Sequence, residues 1–279
     1  MSRASRRTRW ELAAGPGFSP ADVPQVAAGY FWDATAASGL GTTGFKVPEG
    51  NRHTSFDLVQ TTVASQPTAL TENGGLQFRM RKSTDPNPSF LATAGSVQEG
   101  WTGSTYVGFW ARLPDAGGIL TSSNNFYFNH FLTTGNQRRL AMAAINNANN
   151  ALDKVSCSGS VDGVTSGTST TWDNPYDSGG WLWMEYMIDI LLALGGSTAP
   201  DKFKLFANFV LQTRTADSSL DVTSLFDALA PIQLFSRAGG LANVDTTDWA
   251  ALYLGNGIPS LANRVRLANF RNPTGVLFT

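Results

Sequence analysis

An all-β fold is what this sequence predicts, and three observations predict it. Charged residues make up only 15% of the 279, while Gly, Ser, Thr and Asn are frequent, a balance that suits short strands and turns better than long solvated helices. Segments that alternate apolar and polar side chains recur between turn-rich stretches, the mark of half-buried strands. Hydrophobic residues reach 42%, with 8 Trp and 17 Phe, enough to bury a sizeable core. The expected architecture is a two-sheet antiparallel sandwich or barrel of about ten strands in one domain.

In chain order, Arg3, Arg6, Arg7 and Arg9 put four positive charges beside Trp10 with no acid among the first ten residues. The net charge is −1, so the remaining 16 basic and 21 acidic groups make the body mildly acidic. Residues 11–29 are rich in Pro and Gly without periodicity, which predicts an extended connector. Residues 1–29 thus form an arm, and 30–279 the folded domain. The first clear strand is 76–81, where Leu76, Phe78 and Met80 alternate with Gln77, Arg79 and Arg81. In 105–113, Val107, Phe109, Ala111 and Leu113 share the core face, and Tyr106, Trp110 and Arg112 the opposite one. Strands follow at 126–132 and 140–145.

Residues 181–192 and 203–211 are separated by Gly195, Gly196 and Pro200, which predicts a hairpin. Alternation places Phe203, Leu205, Ala207, Phe209 and Leu211 on one face. Between 218 and 229, Leu220, Leu225, Phe226 and Leu229 recur at helical spacing before Pro231, predicting one short helix as a crossover. Strands at 232–236, 249–254 and 265–270 complete the set.

Several function classes drop out. Cys157 is the sole cysteine, so neither an internal disulfide nor a cysteine zinc site can form, and a buried apolar role is expected. The basic start lacks a signal peptide's apolar run, and the apolar stretch 187–194 is short and interrupted by Asp189, so a soluble protein is expected. The arginine arm has neither interleaved aromatics nor a basic helix beside it, which disfavours nucleic acid. No P-loop, H-E-x-x-H or G-x-S-x-G motif occurs. His130 alternates with Phe126, Phe128 and Leu132 as a core or edge histidine does, and His53 falls in a polar loop.

Glycoside hydrolysis needs two carboxylates about 5 to 9.5 Å apart. Glu185 and Asp189 share a strand face but stand about 13 Å apart along it, too far for either mechanism, so no catalytic residue is assigned. Asp173, Asn174 and Asp177 cluster in one loop as weak calcium candidates, although Asp and Asn are ordinary turn residues; no other cofactor is expected. Sugar rings stack on exposed aromatics with polar neighbours fixing orientation. The aromatic pool is Trp101, Trp110, Trp172, Tyr176, Trp181 and Trp183. Trp110 with Arg112, and Trp183 with Glu185, lie on what should be open strand faces, so these four, with Trp172 and Tyr176, form the expected carbohydrate site.

The order of G-G-L-Q-F (74–78), Y-V-G-F-W-A-R (106–112), W-L-W-M-E-Y-M-I-D (181–189) and F-K-L-F-A-N-F-V-L (203–211) resembles the concanavalin A-like, laminin G-like jelly roll. The resemblance implies that the last two segments form a hairpin whose return strand carries a turn at Ala207, Asn208 and Phe209 before an apolar pair. The stretch 32–68, with W-D-A near its start and S-Q-P-T near its end, is similar to the opening segment of such domains in phage, prophage and gene-transfer-agent surface proteins. Related glucanases carry E-x-D-x-x-E or E-x-D-x-E where this chain has E-Y-M-I-D, so their activity does not carry over.

The resemblance implies a non-enzymatic spike or fibre-base protein at a virion surface, assembled in the bacterial cytoplasm. It would bind cell-surface polysaccharide or carry another spike protein, with Arg3, Arg6, Arg7, Arg9 and Trp10 anchoring it to capsid or tail proteins. A homo-oligomer is expected, since exposed strand edges need covering. A purely structural adaptor and a glycan-cleaving hydrolase or lyase are the alternatives.

Overall fold

A computed structural model describes residues 15, 17–51, 54–81, 85–113, 124–132, 137–146, 152–159, 169–173, 175, 179–192, 202–217, 229–234 and 246–279. A helical turn, α1 (Pro24–Ala27), precedes the strands. These are β1 (Tyr30–Asp33), β2 (Lys46–Val47), β3 (Leu58–Val59), β4 (Thr68–Glu72), β5 (Gly75–Met80), β6 (Leu91–Thr93), β7 (Ser104–Arg112), β8 (Asn124–Leu132) and β9 (Gln137–Asn146). There follow β10 (Leu152–Gly159), β11 (Ser169–Asp173), β12 (Leu182–Asp189), β13 (Phe203–Ala207), β14 (Val210–Leu211), β15 (Arg214–Asp217), β16 (Ile232–Leu234) and β17 (Thr247–Asn256). Helix α2 (Leu261–Phe270) comes last.

The strands form two sheets of antiparallel pairs, the predicted sandwich. One runs β14-β13-β12-β7-β17-β5-β4, with β1 also paired to β17; the other runs β15-β11-β10-β9-β8-β16-β6-β3-β2. The main core lies between them and draws Phe78, Phe109, Trp249 and Leu252 from the first sheet and Phe128, Met142, Val155 and Trp172 from the second. Asn73 and Gly74 both take positive φ, the geometry of a two-residue turn whose twist matches that of its strands, and they join β4 to β5.

Alternation assigned the faces of β7 correctly: Val107, Phe109, Ala111 and Leu113 enter the main core, and Tyr106 and Trp110 point the other way. That other face is also closed. Phe18, Val23, Val26, Leu267 and Ala268 form with Tyr106, Trp110, Trp183 and Tyr253 a second apolar layer. Antiparallel sheets commonly leave one face to solvent, whereas nine of the ten residues of β17 are buried. A bulge lets β17 serve both layers. Its register with β7 runs Trp249 to Ala111 and then Leu252 to Phe109, so Ala250 and Ala251 stand together opposite Trp110 and leave room for the indole.

Three expectations are corrected. The stretch 265–270 is helix, not strand: the Ser260 side chain accepts from the Asn263 N–H and caps α2, as a serine before an apolar segment does. The segment 18–29 is no extended connector, because Val23 and Val26 are fully buried on the sheet and Asn51 donates to the Val26 carbonyl; the packed body therefore begins before Tyr30. Alternation also fails beyond Ala207. Asn208 and Phe209 have φ of 48° and 66°, making the turn implied by the family resemblance, and β14 then folds back on β13 with Ala207 opposite Val210. Phe209 joins the second layer, and Leu211 is 56% exposed. The predicted helix at 218–229 lies outside the described residues apart from Leu229. No helix among the described residues is long and apolar enough to cross a membrane.

Candidate functional site

The expected tryptophan site is inside the protein. Trp110 and Trp183 are fully buried with ring centroids 5.6 Å apart. The Trp110 N–H donates to the Ala268 carbonyl of α2 at 2.9 Å, and Phe278 stacks on its ring at 5.9 Å. Neither indole offers a face to a sugar. Sequence alternation placed them on the correct side of their strands; residues from both ends of the described chain, 18–26 and 267–278, cover that side.

Glu185 lies in the same layer without exposure. One carboxylate oxygen accepts from the Tyr106 hydroxyl at 2.9 Å, the other from Arg264 of α2 at 2.9 Å. A Cβ at Gly108 would collide with the Tyr106 hydroxyl and crowd Trp183, so only glycine admits this arrangement. Removal from water raises the Glu185 carboxyl above its ordinary range despite Arg264 and Tyr106. The trio clamps α2 to the sheet. Asp189 stands at the end of the same strand and accepts from the Leu191 N–H.

Arg112 sits at the margin of this layer in a network of ion pairs. It bonds Asp248 at 2.6 Å and Glu72 at 2.7 Å, and Arg79 reaches Asp248 from the other side at 2.7 Å. Trp181 donates its indole N–H to Glu72 at 2.8 Å and lies under the Arg112 guanidinium, 4.7 Å from the ring centroid. Burial pushes the Glu72 carboxyl up, but the bonds from Trp181 and Arg112 and the nearby positive charge outweigh it, so the net shift is downward. All four charges are consumed internally.

Among the described residues an open feature lies at the sandwich edge, where β14 of one sheet and β15 of the other meet. There a cleft of about 330 Å³ has Trp172 and Phe203 as its floor and Leu211 as a wall, with Lys204, Gln212, Thr213 and Arg214 around it. The volume is at the lower end of the small-ligand range, about 300–1,000 Å³. Trp172 is held edge-on by Tyr186 at 5.8 Å and contributes apolar edge rather than an open ring face, being 1% exposed. The Gln212 N–H donates to the Leu205 carbonyl and its side-chain amide to the Val210 carbonyl, which fixes the loop. Of the five expected sugar contacts among the described residues, only Trp172 lines this cleft. Alternation put Leu211 on the face of Phe203 and Leu205 because the turn at Asn208 and Phe209 reverses the phase that alternation assumes for the residues beyond it.

Other expected positions resolve simply. Arg3, Arg6, Arg7, Arg9, Trp10, His53, Asn174, Tyr176 and Asp177 lie outside the described residues, so the proposed calcium loop is represented only by exposed Asp173. Among the described residues no cluster of three potential metal ligands occurs. His130 is buried with Nε2 at 2.9 Å from the Val97 carbonyl, and Cys157 is buried with its thiol pushed far up by desolvation, both as read from their strand positions.

No protein-family model and no curated protein matches the sequence. The fold is similar to solved β-sandwich domains: HCR/D-Sa-GBL1/C, with TM-score 0.52, 8% identity and coverage of 88% of this chain and 52% of that one. The receptor binding domain of botulinum neurotoxin C/D mosaic serotype gives TM-score 0.50 at 9% identity, covering 87% and 51%. The binding domain of serotype D/C VPI 5993 gives TM-score 0.50 at 7% identity, covering 88% and 52%. This chain spans about half the length of those domains. At such identity the likeness establishes the class, an all-β sandwich, and leaves the function to the residues.

Proposed function

We propose that this chain is a non-enzymatic binding module that takes a segment of cell-surface polysaccharide into the cleft between β14 and β15. The observation that carries the reading is the cleft itself, a ligand-sized concavity with an apolar floor and a rim of hydrogen-bonding side chains. The internal pairing of Glu185, Asp248 and Glu72 supports binding over hydrolysis, since each carboxylate is already held by arginine. The structural neighbours with TM-scores of at least 0.50 are described as binding or receptor-binding domains in two cases, which accords with this reading at the level of fold.

The finer proposal places the module on a phage-like particle. Its support is the sequence resemblance of 32–68 and the arginine arm, which would hold capsid or tail proteins. Glycan-array binding by the full chain, with a parallel assay for released oligosaccharide, tests the core of the reading. Binding that falls in Leu211→Asp, with no product released, is expected. Product release would instead make the chain an enzyme, and silence across all glycans would leave a structural adaptor. Recovery of the full chain with particles, and its loss on deleting residues 1–14, tests the arm; sedimentation of the free chain tests self-association.

A further inference from the structure

We infer that β4 is a pairing surface for a second copy of this chain, the two strands meeting antiparallel about a two-fold axis at Leu70 and joining two sheets into one. Among the described residues, β4, β14, β15 and β2 end the two sheets. Sheets blunt such edges with shortness or charge, and three of these strands do so. β14 and β2 have two residues each, one of them Lys46, and β15 carries Arg214 and Asp217. β4 differs: it has five residues, T-A-L-T-E, without lysine or proline. Its one charge, Glu72, is already bonded to Arg112, and Thr68, Ala69 and Thr71 are exposed.

The hydrogen-bond phase of the strand specifies what pairs there. The two-residue turn at Asn73 and Gly74 makes Glu72 and Gly75 a hydrogen-bonded pair, and along antiparallel strands such pairs alternate with non-bonded ones. Leu70 and Thr68 therefore turn their backbone groups to β5, while Ala69 and Thr71 each turn an N–H and a C=O to the open edge. Among the described residues no hydrogen bond from outside the hairpin reaches those groups. A two-fold axis at Leu70 sets Ala69 of each copy opposite Thr71 of the other, so four ladder bonds form and no outward group is left over. The same axis sets Leu70 against Leu70 in the closer, non-bonded kind of pair, which buries two half-exposed leucines together. It also sets Thr68 opposite Glu72. The Glu72 carboxylate accepts from Arg112 and Trp181 and, with about four acceptor positions, has room for the threonine hydroxyl. A foreign strand would make the backbone bonds alone; the symmetric match of side chains selects a second copy.

Five residues a side fall far below the roughly 20–30 of a stable complex, so the dimer is weak and reversible. β14, which borders the cleft, ends the same sheet six strand spacings from β4. Pairing through β4 leaves both clefts open, on the order of 60 Å apart along the joined sheet, where one polysaccharide can be held at two points. That consequence rests on the glycan-binding reading above; the pairing itself does not.

The test is sedimentation of the full chain from about 1 to about 300 µM, a range suited to an interface of this size. The parent should pass reversibly from monomer toward dimer. Leu70→Lys sets like charges opposite each other and should weaken association about tenfold or more. Ala69→Pro removes an outward N–H that β5 does not use and should weaken it as well. Val210→Asp, at the other end of the sheet, should leave it unchanged. Leu70→Cys should oxidise to a disulfide-linked dimer, because opposite residues of a non-bonded pair stand about 4.5 Å apart at Cα, within disulfide reach. Ala69→Cys, which faces Thr71, should not link to itself; Cys157 is buried and takes no part. A monomer at every concentration, with no cross-link at position 70, overturns the inference. Association that survives Leu70→Lys overturns it too, by placing the contact on another surface, and so does cross-linking no faster at 70 than at 69. Binding of short oligosaccharides should be the same in Leu70→Lys and the parent, so the pairing and the glycan reading fail separately.

Discussion

The layer beneath α2 and the cleft at the β14–β15 edge use the same kinds of side chain, tryptophan with arginine and hydrogen-bonding neighbours, to opposite ends. Under α2 the carboxylate and the Trp110 indole are matched inside the protein: Glu185 to Arg264 and Tyr106, Trp110 to Ala268. At the edge, Trp172 is equally buried, yet the polar residues around it line a concavity. Residue type alone cannot separate a core from a site. What separates them is whether another part of the chain arrives to close the face.

Trp110→Ala probes the closed region with the largest expected effect. It empties the space between Trp183 and Phe278 and should cost about 3–5 kcal/mol, read as a lower urea midpoint. A loss under 1 kcal/mol (roughly a fifth of that upper figure) would mean that the second layer does not stabilise the sheet. Glu185→Ala should cost a comparable amount, about 3–5 kcal/mol, because it strands the Arg264 guanidinium against the sheet.

The conservative Glu185→Gln carries a pH signature. Its carboxyl is raised in the folded state, so the folded protein holds the proton more tightly than the unfolded chain. Its contribution is fully present below the ordinary glutamate range and is lost as pH rises through the raised value. Stability of the parent relative to Glu185→Gln should therefore fall as pH rises from about 4.5 toward neutrality. Glu72 is shifted the other way; its contribution is present above the ordinary range and is lost as pH falls through the lowered value. Glu72→Gln should cost about 1 kcal/mol near neutral pH, given its partial exposure, and the difference from the parent should vanish in acid. Parallel pH curves for the two variants would contradict these environments. The smallest stability effect belongs to the cleft: Lys204→Ala should alter unfolding by about 0.5 kcal/mol or less, and a larger loss would make the lysine a packing residue.

How much of this was legible follows from the range over which each signal acts. The strand pattern is local, so the inward residues of β7 and the pairing of β12 with β13 could be read from alternation and a turn. What covers the outward residues is not local: the carbonyl that receives the Trp110 N–H is 158 positions away. Alternation names a second face without saying whether it is wet. The helix in place of a strand at 265–270 had a readable cue in Ser260, an N-cap ahead of an apolar stretch. Leu211 was misplaced because the pattern was continued through Asn208 and Phe209, whose positive φ ends the strand. Phe209 gives no sequence hint of that conformation; contact with Phe278 at 4.9 Å accompanies it.

The position of β17 bears on how the chain acquires its shape. This strand pairs with β7 on one side and with β5 and β1 on the other, so segments made earlier in synthesis meet in this sheet through one made later. Until residues 247–256 emerge, β5 and β7 each present an unsatisfied edge, and the sheet cannot close from its N-terminal half alone. Such a topology ties folding speed to long-range encounters rather than to local hairpins. It exposes the nascent chain to edge-to-edge aggregation until that strand arrives. Truncation before residue 247 should accordingly yield insoluble material, whatever the intrinsic quality of the strands that remain.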